Sequence, residues 1–175
     1  MLRNLFRPKP NERLGHEVYA LAVDQARQPD FYTRLGVADR IDARFELYTL
    51  HVLILYQRLK QNGERGQMAA QSLFDTYVSS LDNTLRELGV GDVSVGKKMR
   101  KLGESLYGRM SAYEEPLRTR DVDQLAEALA RNVYESEDAA VASALAGYAA
   151  QSVKALSEQD YAAVIKGPNW AEIPA

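Results

Sequence analysis

The stretch Ala38-Asp-Arg-Ile-Asp-Ala-Arg-Phe-Glu-Leu-Tyr-Thr-Leu-His-Val-Leu-Ile-Leu-Tyr-Gln-Arg-Leu-Lys-Gln61 decides the fold. Ile41, Phe45, Tyr48, Val52, Leu55 and Leu59 recur at steps of four and three, the period of one helical face. Leu50, Leu53 and Ile54 fill much of the remaining circumference, so the middle of this helix is apolar on nearly every side. A helix of that kind is enclosed by other helices. The Asn62-Gly63 pair stops it. Its most apolar run, Leu47 to Tyr56, is about half of the ~20 residues a membrane-spanning helix needs, so it reads as the centre of a soluble domain.

Toward the N-terminus, Leu14, Val18, Leu21 and Ala22 mark a first helix over Asn11 to Gln28. Pro29 ends it, and a helical turn with Phe31, Tyr32 and Leu35 precedes Gly36. Toward the C-terminus, a helix from about Arg65 to Leu88 carries Phe74, Tyr77, Leu81, Leu85 and Leu88 on its inner stripe, with Gly89 as cap. Ser94 is a suitable N-cap for a fourth helix, along which Met99, Leu102, Leu106, Met110, Tyr113 and Leu117 again step by three and four. Gly103 and Gly108 in its interior cost about 1 kcal/mol each and read as close-approach points or a kink. Asp121 opens a fifth helix with Gln124 as its capping-box partner and Leu125, Leu129 and Val133 as its stripe. An alanine-rich sixth helix is expected from about Ser136 to Leu156, lined by Val141, Leu145, Tyr148 and Ser152. Ser157 and Asp160 begin a last turn carrying Tyr161, Val164 and Ile165, closed by Gly167-Pro168.

No segment alternates with period two long enough to make a strand. The expected fold is all-α: one compact, bundle-like domain of six or seven helices over residues 11–167, between a basic tail (1–10) and a C-terminal tail (168–175). A chain of 175 residues, 46% hydrophobic and 26% charged, has enough apolar surface to offset the entropy of ordering it.

The chemistry absent from the sequence narrows the function. With no cysteine, thiol nucleophiles, disulfides, zinc ribbons and iron–sulfur ligation are excluded. The two histidines are His16 and His51, and His51 falls in the enclosed middle of the central helix, where a packed, hydrogen-bonded role is expected. Glu46 and His51 are five residues apart and do not share a helical face as a ligand pair would. Asp75 and Asp82 do share a face, which reads as solvated. No phosphate loop, HExxH or nucleophile elbow is present. The sequence therefore points away from an enzyme and from any metal or cofactor.

Charge is distributed unevenly. Residues 1–120 hold 19 bases and 15 acids, whereas residues 121–175 hold three bases and nine acids, so a net +4 faces a net −6. That polarity can steer a partner but is too mild for sequence-specific nucleic-acid binding. The bases concentrate on the fourth helix, where Lys97, Lys98, Arg100, Lys101 and Arg109 oppose only Glu104. Such a face fits an anionic contact, whether a ribosome surface, lipid headgroups or an acidic protein. The N-terminal tail combines Arg3, Arg7 and Lys9 with Leu2, Leu5 and Phe6, the composition of a weak interfacial anchor.

Three stretches carry a resemblance: Asp42 to Leu55 with Leu73-Phe-Asp75, the run Leu85-Arg-Glu-Leu-Gly-Val-Gly-Asp-Val-Ser-Val95, and Lys98-Met99 followed by Leu106-Tyr-Gly-Arg109. Over about residues 30–165 the chain resembles the bacterial ubiquinol–cytochrome c chaperone family. The resemblance implies an assembly factor for the ubiquinol–cytochrome c reductase complex that receives newly made cytochrome b near the ribosome, with a second assembly factor as partner. It implies neither bound quinone nor bound haem. Among the motif charges, Asp42, Arg44, Arg86, Asp92 and Arg109 serve either the fold or a partner; Arg44, Arg86, Asp92 and Arg109 join Lys97, Lys98, Arg100 and Lys101 as candidate partner contacts. A helical groove with a basic rim is the expected client site. With no long presequence, a bacterial cytoplasm at the inner-membrane surface is the expected location. Two other readings stay open: a carrier of lipid, quinone or haem in a closed apolar cavity, and a generic helical adaptor.

Overall fold

The computed structural model describes residues 10–87 and 92–174, with side chains for all of these except 10, 11 and 92–95. The described residues form eight α-helices and one short 3-10 helix, without a strand, which is the all-α architecture expected. They are α1 (Pro10–Ala26), α2 (Pro29–Thr33), α3 (Ile41–Lys60), α4 (Gly63–Glu87), α5 (Asp92–Thr119), α6 (Val122–Val133), α7 (Ser143–Ser157) and α8 (Tyr161–Lys166), with the 3-10 turn Ala139–Ala142 before α7.

α3 is the axis of the molecule. It packs against α1, α4, α5, α6 and α7, and twelve of its 20 residues are buried on all sides of the helix. Leu47, Leu50, Leu55 and Leu59 are fully buried, each worth about 2 kcal/mol of transfer free energy. Gly63, at φ +64°, turns the chain directly into α4, while the Asn62 side chain donates to the carbonyls of Arg58 and Leu59 and closes the end of α3. Asp121 and Asp160 cap α6 and α8 by accepting from the Gln124 and Ala163 amides.

Several expectations need correction. Ile41 does not join the inner face: it stands in the first turn of α3, beyond the packed part of the bundle, and is 66% exposed. Ser94 does not cap α5, which begins at Asp92, an acid suited to a first turn. The helix expected from Ser136 begins at Ser143 instead. Glu135 sits at φ +53° and Asp138 accepts from the Ala140 amide, so a polar turn and a 3-10 segment replace the first turns and leave Val141 exposed. Gly103 and Gly108 are not points of close approach, because a side chain at either would meet open space. The close approaches occur at Gly15, where a Cβ would stand 2.4 Å from the Ser72 carbonyl oxygen, and at Gly66, where it would stand 2.1 Å from that of Leu59. The first lets α1 lie backbone-to-backbone on α4. The Gly89 cap and the N-terminal tail residues Leu2, Arg3, Leu5, Phe6 and Arg7 fall outside the described residues.

Candidate functional site

Enclosing α3 buries the polar residues that its sequence carries, and each has found a partner. His51, fully buried, donates from Nδ1 to the Leu47 carbonyl (2.8 Å) and accepts at Nε2 from the Tyr148 hydroxyl (2.9 Å), which itself accepts from the Gln25 amide (3.0 Å). This chain of bonds fixes one neutral tautomer, and burial lowers the imidazole pKa to about 4. The packed, hydrogen-bonded histidine expected from the sequence is what the structure holds. Arg58 reaches from α3 to the end of α7, donating to the carbonyls of Leu156 (2.7 Å) and Gln159 (2.6 Å), where the helix dipole is negative.

Glu46 faces the other way, toward α5. The Arg109 guanidinium forks onto its carboxylate, Nη2 at 2.6 Å and Nε at 2.9 and 3.1 Å. Burial raises the Glu46 carboxyl above its usual range, and the Arg109 bonds offset only part of that rise. Beside this pair the Thr49 and Tyr77 hydroxyls bond at 2.6 Å, tying α3 to α4. A polar clasp therefore joins α3, α4 and α5 at one level of the bundle.

Beyond that level α4 touches the core only through the partly buried Val78 and Leu81, and no apolar residue of α5 from 96 to 105 joins it. Phe45 stacks on Tyr77, yet α3 starts four residues before Phe45, while α4 runs ten residues past Tyr77. No residue from 78 to 87 or from 96 to 105 is buried. Leu85, Met99 and Leu102 are half-buried and stand apart from the main core cluster. On this outer half of α5, Lys97, Lys98, Arg100 and Lys101 are exposed, and no ion pair holds any of them among the described residues. The acids after Asp121 do not neutralise them there.

The other motif charges are placed differently. Arg109 sits in the clasp. Arg44 pairs with Asp39 at 2.6 Å and lies over the Tyr32 ring, and Arg86 pairs with Asp82 one helical turn earlier at 2.7 Å. The Asp92 side chain is outside the described residues. The structure therefore brings Lys97, Lys98, Arg100 and Lys101 together on one helix and puts Arg44, Arg86 and Arg109 to work in intramolecular pairs. Among the described residues no group of three or more acidic or histidine side chains could hold a metal, and no helix is long and apolar enough to cross a membrane.

Among the described residues, clefts open at two places on the body. One, of about 210 Å³, lies between α3, α5 and α7, floored by Ile54 and Val153 and rimmed by Arg58, Lys60, Glu114 and Arg118. The other, of about 340 Å³, lies where residues 171–173 meet α1 and α2, bordered by Gln25, Gln28, Asp30 and Arg34. Sequence reasoning missed Gln159 and Trp170, which organise the second region. Trp170 lies beyond the last helix signal, Gly167-Pro168, and its ring packs on the buried ring of His51.

Comparison with known proteins gives three agreeing results. The family model described as ubiquinol-cytochrome C chaperone matches residues 33–170. The ubiquinol-cytochrome-c reductase complex assembly factor 1 of Xenopus laevis is 24% identical over 116 residues, 66% of this chain and 58% of that protein, so the chain spans little more than half the relative's length. The crystal structure of the Cbp3 homolog from Brucella abortus superposes with a TM-score of 0.82 at 34% identity, covering 99% of this chain and 98% of the other.

Proposed function

This chain belongs to the ubiquinol–cytochrome c chaperone family, and on that premise we propose that it is an assembly chaperone for the ubiquinol–cytochrome c reductase complex, offering newly made cytochrome b or an assembly partner the basic outer half of α5. The observation that carries the surface is the set of four bases within five positions, Lys97, Lys98, Arg100 and Lys101, exposed and without ion pairs among the described residues. Mutual repulsion makes such a set unfavourable until an anionic surface meets it. Half-buried Leu85, Met99 and Leu102 behind it give an apolar helix something to rest on. The partner is thus a protein with an acidic margin beside an apolar segment; the ribosome or a second assembly factor meets the same description.

Arg109, through Glu46, anchors the helix that carries this surface, while Arg44 and Arg86 are held by Asp39 and Asp82. The two open clefts, rimmed by charged and amide side chains, favour a polypeptide contact over a sealed carrier cavity for lipid, quinone or haem. No catalytic role is assigned. The tail residues Leu2, Arg3, Leu5, Phe6 and Arg7 would add a weak, salt-sensitive attraction to anionic bilayers, in keeping with a bacterial cytoplasmic protein that works at the membrane surface. Flotation with anionic liposomes tests the tail: the intact chain should be recovered with the vesicles at low salt and a chain lacking residues 1–9 should not.

The decisive experiment replaces the gene by one encoding Lys98→Glu with Lys101→Glu. Cells carrying it should accumulate less assembled reductase complex while the protein itself stays at normal abundance. Normal assembly would show that this face is idle. Full deletion of the gene without loss of the complex would overturn the assembly role as a whole.

A further inference from the structure

Residues 168–174 adopt no regular secondary structure, yet they are packed along the body rather than hanging from it. Asn169 is gripped on both of its backbone groups by one side chain: the Gln159 amide donates to its carbonyl and accepts from its N–H, both at 2.8 Å. This is the pairing a neighbouring β-strand would make, supplied by an amide. Gln159 is itself held in place, since its backbone carbonyl accepts from buried Arg58 and its side chain also donates to the Ala155 carbonyl. One residue on, Trp170 packs edge-to-face on His51, with ring centroids 5.1 Å apart. His51 already lies against Tyr148 and Phe31, so Trp170 completes an aromatic socket. The Ala171 N–H then donates to Ser152 Oγ at 3.3 Å, and Ala171, Glu172 and Ile173 run alongside the 340 Å³ cleft toward Gln28 and Arg34.

Three properties of this channel bear on its use. Its grip acts on backbone groups plus one aromatic anchor, a mode that accepts many sequences in extended form. The grip is local, with no helix or sheet ladder, so the segment can leave without melting any helix. The cleft at its far end is space that the chain's own Ile173 does not fill.

We propose that this channel is a docking site for an extended, aromatic-anchored segment of the polypeptide that the protein chaperones, and that residues 168–174 occupy it in cis until that segment displaces them. The identity of the occupant rests on the assembly reading above; the existence of the site does not. An in-cis occupant keeps the socket closed to unrelated apolar chains and makes entry competitive, so that only a segment with a suitable anchor gains access.

The probe is a fluorescein-labelled peptide, Gly-Pro-Asn-Trp-Ala-Glu-Ile-Pro, titrated with the full chain and with its Trp170→Ala variant. The variant should bind it at least tenfold more tightly than the parent, because the internal competitor has lost its anchor. A peptide with alanine in place of tryptophan should lose that gain. Equal affinity of the two proteins for the probe would overturn the site. Should the variant fail to fold, amide exchange on the parent decides: the Asn169 and Ala171 N–H groups should exchange by local opening at a rate indifferent to low denaturant. Exchange through global unfolding alone would overturn the displacement. A photo-activatable residue at Gln28 then tests the occupant in growing cells. Crosslinks to a newly made subunit of the reductase are expected, and crosslinks confined to the chain's own residues 171–173 would remove the client while the peptide result keeps the channel.

Discussion

The two halves of α5 are one continuous helix in two environments. From Leu106 to Leu117 it packs Leu106, Tyr113, Pro116 and Leu117 into the core and anchors Arg109 on Glu46. From Gly96 to Ser105 it has no fully buried residue, half-buries Met99 and Leu102, and leaves its bases exposed. The inner half secures the helix, which leaves the outer half free to vary in its contacts without endangering the fold. An interaction surface placed on a rigid helix anchored elsewhere is already oriented before a partner arrives, so association loses less freedom.

That contrast can be broken at its anchor. Arg109→Met leaves the buried Glu46 carboxylate without its counter-charge and should cost about 4 kcal/mol in urea unfolding. Adding Glu46→Gln should recover a large part of the loss. A cost under ~1 kcal/mol would mean that the two halves of α5 are held alike.

A pH titration probes the body alone. The folded pKa of His51 is lowered to about 4, below its unfolded value, so the unfolded chain binds a proton that the native one does not. Stability from this group is fully present above about pH 6.5 and is lost as pH falls toward 4, amounting to about 3 kcal/mol. The difference between the parent and His51→Gln in denaturant midpoints at pH 7 and pH 4.5 isolates it. Parallel losses in both proteins would remove His51 as the cause.

Truncating leucines compares the regions directly. Leu50→Ala, in the fully buried middle of α3, should cost about 3 kcal/mol, and Leu102→Ala, in the outer half of α5, about 1 kcal/mol. Equal costs would show the outer half to be core. The smallest effect belongs to Lys98→Glu with Lys101→Glu, which should shift stability by less than about 0.5 kcal/mol, read from the melting temperature. A much lower melting point would reveal an internal partner for these bases.

The period of the apolar residues made the helices legible, and α3 above all, because burial on every side leaves a run that no surface helix has. Period reports a face and not a depth. Leu85, Met99 and Leu102 read the same as Leu106, Tyr113 and Leu117, although the former stand outside the core cluster. Charge was legible only where its answer is local. The Lys97 to Lys101 run stands out by itself, but the acid that claims Arg109 lies 63 residues earlier. Nothing near Arg109 signals it. The same holds for Trp170, whose partner is a histidine in the central helix.

The distances along the chain between α3 and its partners have a consequence during synthesis. Tyr148, whose hydroxyl donates to His51, and the Leu156 carbonyl, which accepts from Arg58, follow them by 97 and 98 residues. At roughly 5–20 residues per second, α3 waits on the order of 5–20 seconds after translation before the groups that complete it exist. During that interval a helix apolar on nearly every side, with an imidazole and a guanidinium in its walls, has α1 and then, as each is made, α4, α5 and α6 to shelter it, but not α7. Slowing translation across residues 120–157 should therefore lower the yield of folded protein more than the same delay placed earlier in the message, as measured by the soluble fraction at equal expression.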